Sequence, residues 1–505
     1  MKILMCAFLI IIIGCYGHTN QLKALYNSLD PKSVMQHVAF YELYPDSREG
    51  QAALSYAWQL LSQGTLHQQH TPLPTLDLKE IISLITRQSF EPNVMLNQEQ
   101  LQLIQAIAHN LANRKKKGVS LTCKEDVLKT PSEEIDLARA LLLFQSDTQN
   151  LEYIKQYETM LDLMALQIFT CLSPHSSDLE KIRALNDFIF QQMQFRFPPH
   201  SLYAHDIDLY TFLPSVLDNR QGVCLGVSIL YLCLAQRLDL NLDIITPPGH
   251  IYLSYPDKER VINIETTSRG IDLPSEDYLG INNRSLQKRT IKEVIGLAFI
   301  NQASVFWQKD DYQQAINFYK KAQLFLPRDP LLKMFLGINY LLIGEKAKGK
   351  KILQEIRNIT FEDSVSAETI PEDYLKKRID AEGIRAVFLS VDETRDSIIH
   401  KQKTLKAVLK RFPKYRAGIF QLATTWLQLN RSMEAMQTLE IYYALDPTNA
   451  TVAYYLAILS LQRFDFNRAW KYWHQANKLT QERNHSPKVL KELHVHLQRL
   501  CPDPL

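Results

Sequence analysis

The sequence predicts a mostly helical chain in three parts: a helical N-terminal region, one α+β core and a C-terminal α-solenoid of helix hairpins. Three observations predict it. Glycine is scarce, 16 of 505 residues, and long stretches carry few turn residues, so helix dominates. Convincing β material is confined to runs rich in branched and aromatic residues between Leu242 and Ile264, bounded by Pro247-Pro248-Gly249 and Pro256-Asp257. After about Arg289, small and large residues return at an interval of 34. At ~150 residues per domain the chain is too long for one ordinary core, and two to four folding units are expected. With 46% apolar and 22% charged residues, wholesale disorder is excluded. Lys+Arg 57 against Asp+Glu 54 leaves +3, which gives nucleic acid no general electrostatic reason to bind. Seven cysteines in this length exclude a dense disulfide scaffold.

Residues 1–17 read as an export signal. Lys2 precedes the apolar run Ile3 to Ile13, which is too short for the ~20 residues a bilayer-crossing helix needs. Ile12-Ile13-Gly14-Cys15 resembles a bacterial lipobox, which implies cleavage and lipidation at Cys15. The alternatives are ordinary cleavage, for instance after Gly17, and an uncleaved anchor. The main readings place the folded body in the bacterial cell envelope, facing the periplasm, with the membrane reached only through the N-terminal lipid or anchor.

Residues 21–176 form the helical N-terminal region, with no alignable repeat. Leu101, Leu103, Ile104, Ile107, Ala108 and Leu111 make an amphipathic stripe, and Arg114-Lys115-Lys116-Lys117-Gly118 is expected to end that helix as a solvated basic cap. Pro72, Pro74 and Pro92 mark loops. The α+β core is expected over 177–288. Ser177, Asp178 and Glu180 signal a helix start, Leu179, Ile182, Leu185, Ile189 and Met193 share one side, and Pro198-Pro199 stops it. Strands follow at Leu242 to Thr246, Ile251 to Tyr255 and Arg260 to Ile264.

From there the chain repeats. Ala315 and Gly349, Ala435 and Ala469, and Pro413 and Pro447 are each 34 apart, with Phe306, Tyr319, Trp426 and Trp473 among the large residues around them. Small residues let paired helices approach and large ones fill the gap to the next pair, so the pattern resembles the tetratricopeptide family. It is expected at 290–357 and 414–483, with an irregular or degenerate stretch at 358–413 and a tail at 484–505. The resemblance implies a face for a protein or peptide partner.

The chemistry-bearing stretch is Gln221-Gly222-Val223-Cys224-Leu225-Gly226-Val227-Ser228, running without a break into the apolar Ile229 to Leu238. Gly222 permits a tight turn, and the apolar run reads as a buried helix with Cys224 at or near its N-terminus. There the helix dipole and free N–H groups suit a sulfur nucleophile and can hold an oxyanion. His250, after Pro247-Pro248-Gly249, is placed at a strand start and can serve as base. Glu265, at the end of Val261-Ile262-Asn263-Ile264, is brought beside it by antiparallel pairing and can orient the ring. Gly222-Val223-Cys224, Pro248-Gly249-His250 and Asn263-Ile264-Glu265-Thr266-Thr267 together resemble the transglutaminase-like superfamily, in its bacterial branch coupled to tetratricopeptide repeats. The resemblance implies a papain-like α+β core with Cys224 as nucleophile, His250 as general base and acid, and Glu265 as orienting carboxylate, acting on amide bonds by hydrolysis or acyl transfer. Leu225 stands where many active members have Trp, and Glu265 replaces the commoner Asp. The alternative is a catalytically inactive interaction scaffold that keeps the fold. Cys233 reads as core, and Arg269 as a turn arginine or a contact for a substrate carboxylate. His67, His70, His200 and His205 lack the paired spacing of a zinc site, and with no phosphate loop or dinucleotide fingerprint no metal or cofactor is expected.

Overall fold

The computed structural model describes residues 21–63, 73–87, 91, 93–145, 150–198, 210–258, 260–392 and 394–503. The expected signal at 1–17 with Cys15, and His67, His70, His200, His205, Pro72, Pro92 and Pro199, lie outside them. Two compact units divide the chain. One comprises Met1–Arg196, Leu213–Gln221 and Ile229–Asn241, and the other Phe197–Phe212, Gly222–Ser228 and Leu242–Leu505.

The first unit is helical and centres on α1 (Leu151–Cys171), started by the Asn150 side chain, which accepts from the Tyr153 N–H. Most of α1 is buried, including carboxylates, and each buried charge is matched. Arg139 meets Glu158 through two bonds of 2.6 and 2.7 Å. Burial nevertheless pushes the Glu158 carboxyl up to about 7, against the pull of Arg139. Asp162, fully buried, takes Arg237 at 2.8 Å and also Arg114. This corrects the expectation of a solvated basic cap at Arg114, while Lys115 and Lys117 are exposed as expected. The helix Gln98–Ile107 ends earlier, 3-10 turns follow at Ala112–Lys115 and Lys117–Ser120, and Arg114 is drawn inward by a carboxylate buried away from solvent. Farther on, α2 (Asp178–Asn186) starts at a capping box between Ser177 and Glu180 and widens into a π-helical turn at Asp187–Gln192.

The helix α3 (Cys224–Arg237) has its first turn in the second unit and the rest in the first. Arg237 at its end is held by Asp162 and by the Cys233 carbonyl at 3.0 Å. Cys233 is fully buried, and burial pushes its thiol well up. Such a sulfur is core.

The second unit opens with a four-stranded antiparallel sheet. Its strands are β1 (Asp243–Thr246), β2 (Tyr252–Pro256), β3 (Val261–Ile264) and β4 (Gln287–Arg289), in the order β3-β2-β1-β4. Leu253 pairs with Ile264 and Ile245 with Lys288. No alternation of apolar residues announces Gln287-Lys288-Arg289 as a strand, so β4 is an addition to the three expected; its backbone completes the edge of β1. One residue later, Thr290 caps the first repeat helix with Glu293. Sheet and repeats are therefore joined without a linker.

Helix pairs follow: α4 (Ile291–Gln308) with α5 (Tyr312–Gln323), and α6 (Pro330–Leu342) with α7 (Lys346–Glu355). After an interruption holding the short α8 (Ile370–Leu375) and α9 (Ala381–Val387), α10 (Arg395–Arg411) leads into two further pairs. These are α11 (Arg416–Gln428) with α12 (Ser432–Leu445), and α13 (Ala450–Leu461) with α14 (Phe466–Gln481). Ala315, Ala435 and Ala469 are fully buried where paired helices meet, and a Cβ on Gly349 would stand 2.7 Å from the Gly337 carbonyl oxygen. The 34-residue interval thus marks the points of closest approach, which is the tetratricopeptide arrangement. The stretch expected as a tail contains α15 (Lys488–Leu500), which buries Leu490, Leu493 and Leu497 against the last pair and receives Trp473 Nε1–H at the Leu490 carbonyl, 3.1 Å. It closes a face that the final repeat would otherwise expose. Among the described residues, no helix is long and apolar enough to cross a membrane.

Candidate active site

Gly222 sets the entry to the site. A Cβ there would lie 2.7 Å from Val227 Cγ2 and 3.0 Å from the Val227 nitrogen, so only glycine lets the chain turn this tightly into α3. The Val223 N–H is taken by the Tyr210 carbonyl at 3.2 Å, and the Val223 carbonyl accepts the Val227 N–H at 3.0 Å. Cys224 is consequently the first residue of the helix, half-buried, with the free N–H groups of the first turn around it.

His250 follows a turn in which its own N–H donates to the Pro247 carbonyl at 3.1 Å and Gly249 sits at φ +73°. The ring bonds one partner directly: its Nε2 lies 2.7 Å from Glu265 Oε2. Burial pulls the imidazole down, but the influence of the neighbouring Cys224 and Glu265 outweighs it and raises it to about 9.

Glu265 follows β3 directly and is 3% exposed, while its two oxygens collect four donors. Oε2 receives His250 Nε2 and the Tyr278 hydroxyl at 2.5 Å; Oε1 receives the Thr267 hydroxyl at 2.6 Å and its N–H at 3.1 Å. Burial would raise the carboxyl, but these donors bring it down to about 2. It is ionised across the ordinary pH range. Next along, the Thr266 hydroxyl lies 3.0 Å from Ser228 Oγ and 3.4 Å from the Cys224 carbonyl, tying the end of β3 to the first turn of α3.

The structure therefore brings Cys224, His250 and Glu265 into one site, with His250 and Glu265 hydrogen-bonded directly. It adds residues that spacing did not reveal: Tyr278, Thr267, Thr266 and Ser228. Hydroxyl donors on short turns carry no periodic signal, although the Thr266-Thr267 pair beside Glu265 is visible in the sequence. Leu225 is buried, and Arg269 is exposed on a turn, in the left-handed region at φ 57°. Among the described residues, no three His, Cys, Asp or Glu side chains cluster as metal ligands.

A cysteine opening a helix, faced by an imidazole and a carboxylate from the ends of adjoining strands, defines an α+β thiol domain. Residues 155–295 match the family described as Transglutaminase-like superfamily, and the chain carries a domain of that superfamily. The match reaches back into α1 and forward into α4. No curated protein matches the chain. Among solved structures 143 chains match. A thermophilic TPR protein of Thermus thermophilus is 16% identical with a TM-score of 0.20, covering 40% of this chain and 97% of that one. MamA is 14% identical with a TM-score of 0.20, covering 36% and 96%. The TPR2AB domain of yeast Sti1 in its pHSP90 complex is 17% identical with a TM-score of 0.21, covering 40% and 85%. At these scores the likeness carries no argument, and the repeat assignment rests on the helix pairing itself.

Proposed function

We propose that the protein is a cysteine hydrolase or acyltransferase acting on amide bonds of a protein or peptide, with its repeats holding the substrate or an assembly partner. The observation that carries the reading is a cysteine at the start of a helix beside an imidazole whose Nε2 is bonded to a carboxylate that stays ionised. The sulfur attacks the amide carbonyl, the first-turn N–H groups of α3 receive the oxyanion, and the imidazolium gives its proton to the departing amine as the C–N bond breaks. Water or an amine then attacks the thioester, His250 takes the proton from it, and the sulfur leaves as thiolate. An imidazole raised to about 9 is protonated at neutrality and can give its proton to the leaving amine.

The test is thiol reactivity. With iodoacetamide at about pH 6, below the ordinary thiol pKa of ~8.5, Cys224 is expected to be alkylated at least tenfold faster than Cys123, Cys171, Cys233 and Cys501, and the preference to vanish in His250→Ala. Equal inertness of all five in the wild type would sink the enzyme. The buried Leu225, which supplies no indole donor beside the sulfur, favours the second reading, an interaction scaffold that retains the fold. That reading predicts the inert outcome.

The apolar run after Lys2 and the Gly14-Cys15 pair support an exported, lipid-anchored form in a bacterial cell envelope. Intact mass of the mature protein reads this directly: an N-terminal Cys15 bearing acyl chains is expected, and an unprocessed Met1 would overturn it.

A further inference from the structure

Glu265 Oε2 is shared. The His250 Nε2–H and the Tyr278 hydroxyl point at the same oxygen from 2.7 and 2.5 Å, whereas the Thr267 donors occupy the other. The Tyr278 ring also lies nearly parallel to the imidazole, with centroids 5.7 Å apart and planes 18° apart, and nearly parallel to Tyr252 at 4.7 Å and 17°. Its position is built from both sides. Tyr278 ends the 3-10 turn Ser275–Tyr278. Ser275 Oγ receives the Tyr252 hydroxyl at 3.1 Å and Asn263 Nδ2 at 3.0 Å, and Asn263 Nδ2 also donates to the Leu273 carbonyl at 2.6 Å. Two residues after Tyr278, the Gly280 carbonyl bonds His485 Nε2 at 2.8 Å.

We propose that Tyr278 is a positioning residue of the thiol site, its hydroxyl competing with the imidazolium for Glu265 Oε2 while its ring fixes the imidazole plane. This rests on the thiol-site reading and deepens it. An oxygen that serves the imidazolium alone holds that cation more tightly and makes it a poorer acid toward a leaving amine; a second donor on the same oxygen tempers the hold. Among the described residues, the titratable groups facing the ring are Cys224 from α3, Glu265 from the end of β3 and Tyr278 itself, with Tyr252 and Asp277 one layer farther out.

The sign of one measurement separates this role from a merely structural one. Tyr278→Phe keeps the stack and removes the donor, so the His250 transition, followed by ¹⁵N NMR in the full chain and assigned against His250→Gln, is expected to rise by about half a unit or more. Thr267→Val strips the unshared oxygen and is expected to move it less. A transition that stays put, or that falls toward the ordinary ~6.5 as the site loosens, would overturn the proposal. If Tyr278→Phe does not fold, Tyr278→Met removes the donor together with the stacked ring, and a His250 transition that fails to rise there overturns the proposal likewise. The titration needs no turnover, so it stands apart from the alkylation test: inert wild-type Cys224 would remove the enzyme and leave the Tyr278 result to be read independently.

Discussion

His250 and Glu265 shift in opposite directions, and the pair they form has a definite pH signature. The imidazole is raised to about 9, so its contribution to stability is complete below the unfolded value near 6.5 and is lost as pH rises through 9. The carboxyl is lowered to about 2, so its contribution is present above the unfolded value near 4.5 and is lost as pH falls toward 2. The pair therefore stabilises most between about pH 4.5 and 6.5. Thermal midpoints of wild type and His250→Gln are expected to differ most near pH 5.5 and to converge by about pH 10; a gap that widens with alkalinity would refute the assignment of the charges. Gly222 permits a second residue-scale prediction. Gly222→Ala drives a methyl into Val227 and its backbone, with an expected cost of about 1–3 kcal/mol in urea unfolding. At this scale the sequence was informative where chemistry demands a residue type on a turn: Gly222, Cys224 and His250. Tyr278 was invisible because its role depends on a turn thirteen residues beyond Glu265, which no helical or strand period connects to the site.

Elements were legible in proportion to the periodicity they carry. The 34-residue interval exposed the helix pairs because each small residue marks a backbone approach, whereas β4 and α15 are defined by what they cover. Arg-rich and acidic positions were similarly silent: Arg416, at the start of α11, binds Asp373 and Glu372 of α8 and Asp446 beyond α12. It thereby anchors the short helices of the interruption to the regular pairs after it. Asp373 is fully buried, so Arg416→Met leaves an anion with Arg378 as its one cation and the residue-416 backbone N–H as a remaining donor, and is expected to cost about 3–5 kcal/mol by urea unfolding. A cost under 1 kcal/mol, roughly the range of an exposed pair, would show that the network is solvated. Leu497→Ala, in α15, opens a cavity beneath a fully buried side chain, and about 2–4 kcal/mol is expected.

Within the second unit, the loop that carries Tyr278 continues into a seam with the solenoid. The Asn282 carbonyl and side chain receive the N–H groups of Val365 and Ser366, each at 2.8 Å. Arg284 donates through its backbone to the Asp363 carbonyl at 2.8 Å, and through its side chain to the carbonyls of Glu362 at 2.5 Å and Arg483 at 3.2 Å. Ile281 is buried in the same apolar cluster as α13, α14 and α15. The interruption of the repeats, which sequence reading could treat only as a lapse in the period, is thus where the chain returns to meet the loop behind the thiol site. Local opening there should be cooperative, because the loop's backbone partners lie on the repeats and few of its bonds are its own. In Arg284→Ala, hydrogen exchange is expected to accelerate together at 278–284, 363–366 and 483–485, by about fivefold for the loss of ~1 kcal/mol in net hydrogen bonding. The Val227 N–H at the start of α3, bonded to the Val223 carbonyl, should keep its protection, since Thr266 and Ser228 hold that turn independently. Acceleration confined to residue 284 and its immediate neighbours would mean that the solenoid merely abuts the loop, and the position of Tyr278 would then depend on its contacts with Glu265 and Tyr252 and on the Asn263 and Ser275 bonds.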